Sequence, residues 1–176
     1  MKIKKIYQGE LPENKILNAQ STSQTDTYSC EYINDLQGLN YISVRPSSSG
    51  SRNLSTGYIK IGLGSVVSSN GNKLTLSNDS VVIGAGISKI RVSGQLALWN
   101  ANGTFGVAIV KNDDLVNGNL ILSWGEAIAN KDTCILTTTA YADVQEGDVI
   151  SLYLYATTSQ TANVQNTCRL NVEVIG

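Results

Sequence analysis

The chain has 176 residues, a mass of 18.8 kDa and 41% hydrophobic residues, which is enough for one packed domain of ordinary size and an appendage. Lys and Arg number 13 against 14 Asp and Glu, and beyond Lys2, Lys4 and Lys5 there is no basic cluster to follow nucleic acid or an anionic membrane surface. No histidine is present, so the commonest general base, the usual zinc ligand and the physiological pH switch are all missing, and most hydrolase readings fall with them.

Only 15% of residues are charged, while Ser, Thr and Asn fill 50 positions. A surface of neutral hydrogen-bonding groups suits strands better than long helices. The opening MKIKKIYQGELPENK carries charges where a signal peptide has an apolar core, and no stretch approaches roughly 18 apolar residues. The expectation is a soluble protein made in the cytoplasm, with no membrane insertion.

In chain order, residues 1–44 read as an arm. An alternating Ile3, Ile6, Tyr7 segment turns at 9–12 and drifts into the polar string NAQSTSQTD. Asp26 can cap a short helix over about 26–37, whose Tyr28, Tyr32, Ile33 and Leu36 fall on one face before Gly38 ends it. Three turns do not stand alone, so this helix is a candidate anchor that docks on the body or on another chain. Residues 45–57, RPSSSGSRNLSTG, read as a linker.

From residue 58 the character changes to short β-branched runs punctuated about every ten residues, the pattern of an all-β sandwich or jelly roll over 58–176. Strands are predicted at 58–67, 73–76, 80–83, 89–99, 104–110, 120–126, 133–144, 149–156 and 167–175. Asn70-Gly71 is predicted to turn a hairpin, and Asn102-Gly103 and Asn117-Gly118 mark further turns. Ile90, Val92, Gly94, Leu96 and Leu98 alternate with polar neighbours, as do Leu170, Val172 and Val174, so each set marks a core face. Cys30, Cys134 and Cys168 have no CxxC spacing and read as buried thiols, with pairing of Cys134 to Cys168 left open.

The sequence carries two resemblances. DVQEGDVISL at 143–152, VSGQLAL at 92–98 and the closing RLNVEVIG together resemble the globular heads of the complement and tumour-necrosis-factor superfamily over about 58–176. That resemblance implies a jelly-roll head that assembles as a homotrimer. STSQTDTYSCEYINDL is similar to a short segment, TDTYSC-x-YIN, of fibre or baseplate proteins from tailed bacteriophages of Gram-positive hosts. It implies a virion location, with residues 1–44 attaching the head to other virion proteins of tail, baseplate or capsid.

The chemistry in the residues is sparse. Glu146 and Asp148 are two carboxylates in one turn, but a Gly-Asp turn whose Asp caps the backbone explains them better. Asn112, Asp113 and Asp114 are consecutive oxygen donors and a calcium candidate, without EF-hand spacing. No catalytic residue, cofactor site or metal site is assigned. If Ile150, Leu152 and Leu154 face the core, Tyr153 and Tyr155 project from the other face. They then form a recognition surface for a host cell-surface glycan or protein, or lie under a loop or against a neighbouring subunit. Trp99 and Trp124 are expected as core plugs at strand ends. The reading is a non-enzymatic, homotrimeric phage fibre or knob for host adhesion. The alternatives are a decoration protein of capsid or baseplate without receptor binding, and a glycan depolymerase.

Overall fold

The computed structural model describes residues 40–116, 121–130 and 134–176. Over these residues the chain is all antiparallel β: β1 (Tyr41–Arg45), β2 (Gly50–Leu54), β3 (Gly57–Lys60), β4 (Ser65–Asn70), β5 (Leu74–Ser77), β6 (Ser80–Ile83), β7 (Lys89–Trp99), β8 (Asn102–Lys111), β9 (Ile121–Asn130), β10 (Cys134–Asp143), β11 (Val149–Ala156), β12 (Gln160–Val164) and β13 (Arg169–Val174). One sheet runs β2-β12-β7-β13-β1-β4, with β10 along the other side of β7, and the second runs β5-β6-β11-β8-β9, with β3 beside the end of β11. Two sheets of this connectivity, face to face, make a jelly roll.

Period-two alternation decides which face each strand buries. From the first sheet Val44, Ile90, Val92, Leu96, Leu98, Leu170 and Val172 are fully buried, and from the second Val81, Phe105, Val107, Ile109, Ile150, Leu152 and Leu154 meet them. Each such aliphatic or aromatic side chain contributes about 1.5–3 kcal/mol through burial. Gly94, midway along β7, has no side chain because a Cβ there would lie 2.8 Å from Leu152 Cδ1 and 3.2 Å from Ile109 Cγ1 of the opposite sheet.

Several boundaries differ from the sequence reading. The head starts before residue 58: β1 lies between β13 and β4, and β2 pairs with β12, so residues 41–45 and 50–54 are sheet and 45–57 is no linker. The compact unit that holds these strands is Leu39–Gly176. The Ser-rich composition misled because β2 is an edge strand with one side in solvent, where hydroxyl side chains cost nothing. The single strand expected over 58–67 is two strands in different sheets, broken by Ile61-Gly62-Leu63-Gly64. Asn70-Gly71 therefore joins sheets and makes no hairpin; the hairpin is β5–β6, turned by Asn78 and Asp79 at φ 47° and 61°. Asn102 and Gly103 belong to β8, and the chain turns before them, at Asn100 with φ 55°. The helix over 26–37 with Tyr28, Tyr32, Ile33 and Leu36, and the Asn117-Gly118 turn, lie outside the described residues.

Candidate functional site

β11 is central in the second sheet, flanked by β8 on one side and by β6 and β3 on the other, so its outward side chains sit in the middle of an outer face. Tyr153 and Tyr155 are on that face, as the alternation requires, but they differ in fate. Tyr153 is only 7% exposed and packs with Ala108, Val110, Tyr58 and, from the loop after β8, Leu115. Its hydroxyl donates to Asp113 Oδ1 at 3.2 Å. Burial, with the Asp113 charge beside it, pushes the phenol up to about 12. Tyr153 is thus the residue under a loop, and it supports the face without being presented on it.

Tyr155 is half-buried and opposite Tyr58 in the β3–β11 register, with ring centroids 5.1 Å apart and planes tilted by 55°. The accessible aromatic unit of this face is therefore Tyr58 with Tyr155. Sequence reading missed Tyr58 because only the long-range register between β3 and β11 brings it there.

The candidate calcium loop holds its oxygens for other partners. Asn112 and Asp113 take left-handed conformations, φ 58° and 53°. Lys60 Nζ donates to Asp113 Oδ2 at 2.7 Å, and Asp114 Oδ1 accepts the Val116 amide at 2.9 Å. Asn112 bridges to the 145–149 turn, donating from Nδ2 to Asp148 Oδ1 at 2.8 Å and accepting the Val149 amide at 2.9 Å. Asp148, 4% exposed, also accepts the Gln145 amide at 2.9 Å and lies 3.3 Å from Lys111 Nζ. Burial alone would raise both carboxyls, yet hydrogen bonds and the adjacent lysine ammonium prevail, and Asp113 and Asp148 are held below the ordinary carboxylate value. Carboxylates tuned this way are structural anions; a general acid needs the opposite shift. Glu146 is exposed in the same turn, where Gly147 at φ 86° supplies the backbone the reversal needs.

Cys134 and Cys168 are buried thiols, unpaired, and burial raises both. Among the described residues no three His, Cys, Asp or Glu side chains gather to hold a metal ion.

The outer face of the first sheet has a different character. Ser43 Oγ donates to Asn171 Oδ1 at 2.6 Å and Asn171 Nδ2 donates to Ser93 Oγ at 3.0 Å, a polar ladder across β1, β13 and β7. Next to it runs the row Tyr41, Glu173, Arg91 and Tyr141, in register across four strands. β9 and β10 are ten-residue edge strands, one from each sheet, joined by a Ser123–Thr138 hydroxyl hydrogen bond. Ile128 is 80% exposed there, Ile135 61% and Tyr141 69%. Trp99, expected in the core, is 58% exposed, because β7's alternation places it outward one step after Leu98.

No family model matches this chain, and no curated protein does. Among solved structures it is similar to murine APRIL at pH 5.0, with 12% identity and a TM-score of 0.61, covering 78% of this chain and 99% of that one. It is also similar to Eiger TNF from S. frugiperda, with 11% identity and a TM-score of 0.56, covering 78% of this chain and 92% of that one.

The fold is a jelly roll of the tumour-necrosis-factor type.

At these identities the likeness is one of fold. In this tumour-necrosis-factor-type jelly roll the closing strand β13 lies between β1 and β7, and the strand after the Gly-Asp turn, β11, is central in the opposite sheet. These are the strings that carried the resemblance.

Proposed function

We propose that this protein is a non-enzymatic, homotrimeric head of a bacteriophage virion, attached through residues 1–44 and adhering to a host cell-surface glycan or protein. The observation that supports assembly most is the β9–β10 edge. Where β9 and β10 meet, Ile128, Ile135 and Tyr141 are exposed, apolar side chains that solvated proteins protect, and a second copy of the chain supplies the cover. The tumour-necrosis-factor-type fold supports closure of three such copies into a ring. The virion setting is supported by the TDTYSC-x-YIN string alone. A non-enzymatic role is supported by the tying of Asp113 and Asp148 to lysines and by the lack of histidine.

Adhesion would work by avidity, with three weak sites on one head raising apparent affinity through effective concentration. Native mass spectrometry of the full chain should give three times 18.8 kDa. A stable monomer at micromolar concentration removes the trimer. Electron cryomicroscopy of particles then locates the protein, and a position with every outward face covered would favour decoration over adhesion.

A further inference from the structure

A cleft of about 300 Å³ lies where the β1–β2 loop, β2, the β3–β4 connection and the β5–β6 turn meet, lined by Ser47, Ser48, Arg52, Gly62, Gly64 and Asp79. Its lining is entirely polar side chain or glycine, which excludes an apolar occupant. Its two charges are unspent: among the described residues neither the Arg52 guanidinium nor the Asp79 carboxylate makes a hydrogen bond or an ion pair. They nonetheless face the same point. A Cβ on Gly62 would stand 3.6 Å from Arg52 Nη2 and 3.6 Å from Asp79 Oδ1, so the pair brackets the glycine without closing on itself.

The backbone beneath the walls is held in place. Asp79 sits in a left-handed turn whose Asn78 carbonyl accepts from both Lys60 Nζ and Ser80 Oγ at 3.3 Å. Gly64 donates its amide to the Arg45 carbonyl at 2.9 Å, and its missing side chain leaves room for the Ser47 hydroxyl beside it. A few polar side chains converging over a bare floor are how sites for small polar ligands take their orientation.

The charges define the occupant. Arg52 offers a planar fork for a carboxylate. Asp79, facing it across Gly62, accepts only from donors and repels a dianion, which disfavours phosphate. The volume, at the lower end of ligand sites, suits one sugar ring. We propose that this cleft is a subsite for an acidic saccharide, seating a hexuronic acid unit with its carboxylate on Arg52, ring hydroxyls donating to Asp79, and Ser47 and Ser48 at the rim. This names the ligand class for the adhesive role above and rests on that reading for its biological setting, but the binding itself is testable alone.

The experiment is calorimetric and saturation-transfer titration of the full chain with sodium glucuronate, methyl glucoside and alanine. Glucuronate should bind saturably in the millimolar range, with methyl glucoside at least about tenfold weaker, because a charge-assisted pair to Arg52 is worth about that factor. Arg52→Gln and Asp79→Asn should each weaken glucuronate about tenfold. Gly62→Ala, whose methyl makes only ordinary contacts in the empty cleft, should abolish binding while the melting temperature stays put. Absence of saturable glucuronate binding, equal binding of the glucoside, tighter binding of zwitterionic alanine, or retention by both charge variants overturns the subsite. Adsorption of the protein to whole host cells is measured separately. Glucuronate binding without adsorption leaves the subsite standing and removes adhesion, whereas adsorption unaffected by Arg52→Gln with no glucuronate binding removes only the subsite.

Discussion

Tyr153 shows how one hydroxyl can bear on stability far from neutral pH. Its phenol is held protonated up to about 12 against an ordinary value near 10, so what its folded surroundings contribute is complete below pH 10 and drains as pH rises through about 12. Tyr153→Phe should therefore flatten the alkaline limb of melting temperature against pH, measured by circular dichroism, and lower the neutral plateau modestly through the lost hydrogen bond to Asp113. At the acid end Asp113 and Asp148, both held below their ordinary 3.8, contribute above that value and lose their contribution as pH falls through the lower folded values. Gly94 is a test of packing: with Leu152 and Ile109 fully buried across from it, Gly94→Ala should cost about 1–3 kcal/mol in denaturant titration, as added volume in a filled core does. At this scale sequence reading located side chains by face and left their cover open. The outward placement of Tyr153 and Tyr155 was legible from alternation; that Leu115 and Tyr58 cover Tyr153 was not, since both arrive through contacts remote in sequence.

Strands were legible where burial gives them an uninterrupted pattern. β6, β7 and β11 have the predicted bounds, being central or fully alternating. β2 was misread because an edge strand dressed in Ser, Arg and Asn carries no hydrophobic period, and β12, inside the sheet between β2 and β7, was missed because its short QTANV run buries only Ala162 and Val164. The break between β3 and β4 hid inside an apolar run, since Ile61 and Leu63 stay buried while the chain crosses from one sheet to the other. Boundaries can be tested by truncation. A fragment of residues 39–176 should melt cooperatively, whereas residues 58–176 should not fold, because removing β1 strips both β13 and β4 of a partner. The open edge has its own test. Ile135→Lys with Tyr141→Lys changes side chains that are 61% and 69% exposed, so the chain should fold as before but run at 18.8 kDa in native mass spectrometry. A trimer that survives the double change places the interface elsewhere.

For the whole molecule, the enzymatic and adhesive readings part on one assay. Purified host glycan incubated overnight with wild type, Glu146→Gln and Asp148→Asn should release no oligosaccharide in any sample; release by wild type alone would establish a depolymerase. The two ends of the head have a further bearing. Tyr41 is opposite Glu173, Val174 donates its amide to the Asn40 carbonyl at 2.8 Å, and Gly176 accepts the amides of Ser88 and Lys89 at 3.0 Å. Chain entry and C-terminus thus lie side by side, while β1 runs away from them to Arg45, next to the loop that bears Ser47 and Ser48. Mechanical load makes this arrangement directional. Pulled between Asn40 and Gly176, β1 and β13 part like a zipper, one hydrogen bond at a time and at low force. Pulled between Asn40 and an object held at the far end, β1 is dragged lengthwise between β13 and β4, and its bonds to both resist together. A head tethered before residue 40 and gripping at its opposite end is loaded along its strong axis, and optical-tweezer traces in the two geometries should differ accordingly.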